Sequence, residues 1–105
     1  MEIQKPLKAV ININLAGDNI IVAAPAAGSK IKIRLVKILF VCTAAVAIIL
    51  KSGATSLTGA MSFAANAGLV FEGDFNPLDM IQEEAFIINL GGAVQVSGFI
   101  LYHLE

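Results

Sequence analysis

The apolar residues of this chain recur with a period of two, and that period constrains the fold more than any other feature. Side chains alternate faces along a strand, whereas a helix brings them back to one face only every three or four residues. Val10-Ile11-Asn12-Ile13-Asn14-Leu15 places Ile11, Ile13 and Leu15 on one face and two asparagines on the other. Lys30-Ile31-Lys32-Ile33-Arg34-Leu35 sets three cations against three aliphatics. Each reads as a half-buried strand. Gly17-Asp18-Asn19 is expected to turn the chain into a strand at Ile20 to Ala24, which Pro25 helps to end.

The alternation slips at Val36-Lys37. Continuing the register from Leu35 would bury Lys37, so a bulge or bend is expected between Leu35 and Ile38. Leu39 to Thr43 and Ala45 to Leu50 are apolar in both phases, as strands covered on both sides would be. Runs of this length also fit buried helices, but β-branched residues and glycine punctuation favour strands. Lys51 to Thr55 is the strongest turn signal, predicting a hairpin into Ser56-Leu57-Thr58. Further short strands are expected at Ala60 to Ala65, Leu69 to Phe71, Phe86 to Leu90 and Val94 to Tyr102, the last two separated by Gly91-Gly92. The best place for a helical turn is Leu78 to Glu84, with Asn76 as cap and Pro77 in the first helical position. Eight or nine short strands with glycine-bearing turns predict an all-β sandwich or barrel.

At 105 residues the chain has the size of one domain, 1–105, with residues 1–15 as an N-terminal arm and first strand. Leu104-Glu105 resembles the start of a vector-encoded tag. Hydrophobic residues make up 57% and charged residues 14%, against about 45–50% and about 25% in ordinary soluble domains. A small domain has too little interior for that surplus, so part of it is expected at subunit contacts. A membrane is the other sink, but the uncharged run Ile38 to Leu50 is 13 residues long and bracketed by Lys37 and Lys51, short of the ~17–25 a spanning helix needs. No signal peptide is expected, because Met1 to Pro6 carries Glu2 and Lys5 and no apolar segment.

Chemistry-bearing residues are sparse. Cys42 is the only cysteine and His103 the only histidine, which removes an intrachain disulfide, a zinc set and a Cys/His nucleophile, so no catalytic residue and no cofactor are expected. Glu72, Asp74, Asn76 and Asp79 cluster oxygen ligands at short spacing, but glycine and terminal glutamate stand in the wrong places for an EF-hand, so a solvated acidic loop is the simpler reading. Glu83-Glu84 on a strand would point to opposite faces and could not share acid/base work. Gly91-Gly92 lacks phosphate-loop spacing. Nucleic-acid binding has only Lys30, Lys32 and Arg34 in its favour, with a net charge of −1.

Charge is segregated along the chain. All seven Lys and Arg lie at or before Lys51, whereas residues 52–105 hold six acids and no base. Two arrangements follow: neutralisation within the chain where strands interleave, or a basic patch of Lys30, Lys32 and Arg34 facing the acidic region of a neighbouring subunit, which would orient partners.

Three stretches resemble a family of small β-rich virion structural proteins of tailed bacteriophages and prophages. They are Ile49-Leu50-Lys51-Ser52-Gly53-Ala54-Thr55-Ser56-Leu57-Thr58-Gly59-Ala60-Met61, Ala64-Ala65-Asn66-Ala67-Gly68-Leu69-Val70, and Leu90 to Gly98 running on to Tyr102. Ile21 to Ile33 is similar to the same family's opening; Leu78 to Ala85 departs from it, and Ala67 stands where a glycine is expected. The resemblance implies a jelly-roll-like sandwich of about eight short antiparallel strands. It further implies a homotrimer located on the virion as a capsid decoration or cement subunit, with a major capsid or other virion protein as partner. On that reading Ile38, Phe40, Ile48 and Leu50 are expected at the subunit interface, and Lys30, Lys32 and Arg34 against an acidic partner. The competing reading is a tail-associated or carbohydrate-binding sandwich, disfavoured because Tyr102 is the only Tyr or Trp available as a sugar platform.

Overall fold

The computed structural model describes residues 5–73 and 78–105. Ten strands follow one another: β1 (Leu7–Ile13), β2 (Gly17–Val22), β3 (Ile33–Cys42), β4 (Val46–Ser52), β5 (Thr55–Ser56), β6 (Met61–Phe63), β7 (Gly68–Glu72), β8 (Leu78–Asp79), β9 (Phe86–Leu90) and β10 (Val96–Leu104). The first sheet runs β1-β10-β3-β7, with β8 also on β3; the second runs β2-β9-β4-β5, with β6 also on β4. Every pairing is antiparallel. Successive long strands alternate between sheets and the first strand pairs with the last, which is jelly-roll order.

The alternation seen in the sequence closes the core. On β4, Val46, Ile48, Leu50 and Ser52 turn inward while Ala47, Ile49 and Lys51 face out. From the other sheet Ile11, Ile38, Phe40 and Ile100 meet them, all almost fully buried. Phe40 packs edge-on against Phe63 across the sandwich, with ring centres 5.4 Å apart and planes at 71°. Gly98 is the cross-strand partner of Phe40, and a Cβ there would overlap the Leu39 carbonyl oxygen; only glycine lets β10 lie this close to β3.

The expected bulge is present. Leu101 pairs with Lys37 and Tyr102 with Leu35, so Val36 is the extra residue. It resets the phase, and both Leu35 and Ile38 reach the core.

Three expectations need correction. β3 and β4 are not covered on both sides; they belong to different sheets, and each presents one face outward, where Val41 is exposed. The first turn lies at 14–16 rather than at Gly17 to Asn19, which form the start of β2. There the Asn19 amide donates to the Leu15 and Gly17 carbonyls at 2.9 and 3.1 Å, and Leu15, beyond the end of β1, is exposed instead of sharing the face of Ile11. Leu78 to Glu84 forms no helical turn: Leu78 and Asp79 pair with Leu35 and Arg34, and Met80 N donates to Ile33 O at 2.8 Å, so the backbone bonds outward to β3. Asn76 and Pro77 lie outside the described residues. Apart from these corrections, Leu104 is the last residue of β10, and Glu105 makes reciprocal backbone bonds to Lys32 at 2.7 and 2.9 Å, which leaves the origin of the two residues untouched.

Candidate protein-interaction face

The outward face of the first sheet is built from the residues that alternate with its core positions. In register across four strands, Val10 (β1), Phe99 (β10), Leu39 (β3) and Val70 (β7) form one apolar row. Its ends are open: Val10 is 68% and Val70 64% exposed. The next row is Lys8, Leu101, Lys37 and Glu72, and the row on the other side is Asn12, Ser97, Val41 and Gly68. The ammonium groups of Lys8 and Lys37 lie 5.3 and 6.0 Å from the centre of the Phe99 ring, within cation–π range. Lys37 also pairs with Glu72 at 3.3 Å. Beside this row an open pocket of about 410 Å³ is lined by Pro6, Val36, Lys37, Glu72, Leu101 and His103. The face thus offers an aliphatic and aromatic strip with cations along one border.

The outward face of the second sheet is more polar. Asp18, Asn89 and Ile49 form one row there. The Asp18 carboxylate accepts from the Asn89 amide at 2.7 Å and from Lys51 at 3.1 Å to each oxygen. Those hydrogen bonds, Asn89 first, and the Lys51 charge hold its carboxyl below the ordinary value of 3.8, against a smaller opposing effect of burial.

The residues expected at a subunit interface are placed elsewhere. Ile38, Phe40, Ile48 and Leu50 are all inside the sandwich, at 0–3% exposure, so their side chains cannot meet a partner. Apolar character marked them as buried, and the burial comes from the opposite sheet of the same chain. Of the basic group, Lys32 and Arg34 are ion-paired within the chain, whereas Lys30 is exposed. Lys32 pairs with Asp79 at 2.9 Å, and Arg34 reaches Asp79 at 3.7 Å and Glu105 at 3.1 Å. Interleaved strands therefore bring the acids of the second half onto the cations of the first. Lys30 has a left-handed backbone, φ 60°, and its N–H donates to Glu83 Oε2 at 3.1 Å.

The acidic positions serve structure. Glu83, itself at φ 64°, also accepts from Gly28 N at 2.6 Å and so ties the turn after Pro25 to the turn before β9. Glu84 accepts from the buried Ser52 hydroxyl at 2.8 Å, and that hydroxyl accepts from Ile81 N at 2.8 Å. Of the possible calcium ligands, Asp74 and Asn76 lie outside the described residues, and Glu72 and Asp79 are ion-paired as above. Among the described residues no group of three or more His, Cys, Asp or Glu side chains is placed to hold a metal ion. Cys42 is buried, its thiol 3.3 Å from the Ala64 and Ala67 carbonyl oxygens.

Sequence reasoning missed Val10, Phe99, Leu39 and Val70 as a set. The signal was available within each strand, as the phase opposite the core, but their alignment depends on register between strands far apart in the chain. No family model, curated protein or solved structure matches the chain. Among the described residues no helix is long and apolar enough to cross a membrane.

Proposed function

We propose that the chain is a non-enzymatic virion structural subunit of the tailed-phage kind, a capsid decoration or cement protein that works through copies of itself and through contact with a protein lattice. The observation that carries this reading is the in-register row Val10-Phe99-Leu39-Val70, an apolar strip on the outward face of the first sheet with both ends exposed. Contiguous apolar surface bordered by charge is the usual mark of a protein contact. Lys8 and Lys37 along its border favour a partner that is apolar with acidic neighbours. The resemblance of Ile49 to Met61 and of Leu90 to Tyr102 to phage virion proteins supplies the lattice.

Co-sedimentation with expanded tailed-phage capsids tests the reading. The wild-type protein is expected to pellet with the shells, and Val70→Asp, which places a charge on the strip at an exposed position, is expected to stay in the supernatant while keeping its β-type circular dichroism. Wild-type protein that ignores capsids but is retained on a glycan surface would replace this reading with the carbohydrate-binding one.

A further inference from the structure

A sandwich has edges as well as faces, and an edge strand with unpaired backbone groups invites a further strand unless something blunts it. Three of the edges here are blunted. β2 carries a bulge between Ile20 and Val22, β5 and β6 are two and three residues long, and β7 spans five residues between Gly68 and Glu72. β1 differs: its seven residues pair with β10 without interruption, it contains no proline, and Lys8 is its only charge. Among the described residues its other side has no strand neighbour.

We propose that β1 is a self-pairing edge, joining two copies of this chain antiparallel about a two-fold axis at Val10. The strand's own side-chain order selects that occupant and that register. Val10 is the central residue of Leu7–Ile13. An antiparallel pairing centred on it sets Val10 opposite Val10, Ala9 opposite Ile11, Leu7 opposite Ile13 and Lys8 opposite Asn12. No like charges face one another, a small residue meets a large one on the inner side, and the partly exposed Leu7 gains an aliphatic neighbour. Pro6, which has no N–H to donate, would fall opposite Asn14 and stop the ladder there. On the outer face the two apolar rows join end to end through Val10, so a valine that is 68% exposed is covered by its own image. The contact is isologous and closes at two copies, unlike the three-fold assembly that the phage resemblance implies. It rests on the self-association part of the proposed function and names its site.

Light scattering coupled to size exclusion tests the contact with residue-level variants. Wild type is expected at twice the chain mass. Val10→Lys and Val10→Glu, each placing like charges face to face at the axis, are expected at the mass of a single chain with unchanged circular dichroism, and an equal mixture of the two is expected to return to the double mass. Val10→Cys is expected to give a disulfide-linked dimer on mild oxidation, whereas wild type, with its buried Cys42, gives none. A trimer-sized wild type, or a dimer indifferent to both charges at Val10, would overturn the β1 contact while leaving self-association standing. A wild type monomeric at every concentration would overturn both, and capsid co-sedimentation reads the lattice role separately.

Discussion

Asp18 shows how much a single exposed side chain can organise on the outside of a sheet. It stands one residue inside β2, receives the Asn89 amide from β9 and the Lys51 ammonium from β4, and so ties three strands together. Lys51 is only 17% exposed along its side chain, and its charged end reaches the carboxylate at 3.1 Å. Because the folded-state pKa is depressed below 3.8, the ionised carboxylate favours the folded state. That stabilisation is complete above the ordinary carboxylate value and disappears as the pH falls through the lowered one. Asp18→Asn is therefore expected to melt at a lower temperature than wild type at neutral pH. The two proteins should converge in acid below the ordinary carboxylate range, and paired thermal melts across that range would show it. A gap that persists undiminished in strong acid would mean that the carboxylate's charge is not what holds these strands.

At the scale of elements, β3 explains both what could be read from the residues and what could not. The slip at Val36-Lys37 was visible because charge and apolarity are strictly alternated before it, and burying Lys37 had an obvious cost. The apolar stretch that follows carried no such contrast. Leu39 and Val41 look like Ile38 and Phe40 in the sequence, and only the position of β4 in the opposite sheet decides which pair is inside. For the same reason composition does not separate interface from core, and Ile38, Phe40, Ile48 and Leu50 fit either until the opposite sheet covers them. Lys32 and Arg34 were ambiguous in another way, since their partners Asp79 and Glu105 are distant in sequence and meet them only through β8 and the end of β10. The bulge makes a sharp prediction. Deleting Val36 leaves Leu35, Lys37 and Ile38 alternating in, out and in, so the rest of β3 keeps its register. The loss is the Gly73 N to Val36 O bond of 2.8 Å, about 0.5–1.5 kcal/mol for an ordinary hydrogen bond. Deleting Leu39 instead slips the strand by one and turns its core residues outward. Chemical denaturation is expected to find the Val36 deletion cooperative and modestly weakened and the Leu39 deletion without a folded baseline.

The whole molecule is organised by the meeting of its two ends. β10 lies between β1 and β3, pairing Leu7 with Tyr102 on one side and Ile33 with Leu104 on the other. The first sheet is thus joined through the most C-terminal of the described strands. Without β10, β1 has no partner in the sheet, Ile11 loses its neighbour Gly98, and β3 keeps only the short β7 and β8. The second sheet closes earlier, through β9 between β2 and β4. It does not stand alone, because its inward residues Ile48, Leu50, Phe86 and Ile88 belong to one core cluster with Ile11, Ile38, Phe40 and Ile100 of the first sheet. A chain ending at Gln95 is therefore expected to retain at most collapsed β structure, with no cooperative unfolding transition and with strong binding of a hydrophobic dye. Most of the strand pairings join segments far apart in the chain, at the extreme Leu7 with Tyr102, and topologies of this kind refold in roughly milliseconds to seconds. Stopped-flow refolding is expected to fall in that window. A microsecond phase carrying the full amplitude would show that local hairpins, rather than the joining of β1 to β10, set the barrier.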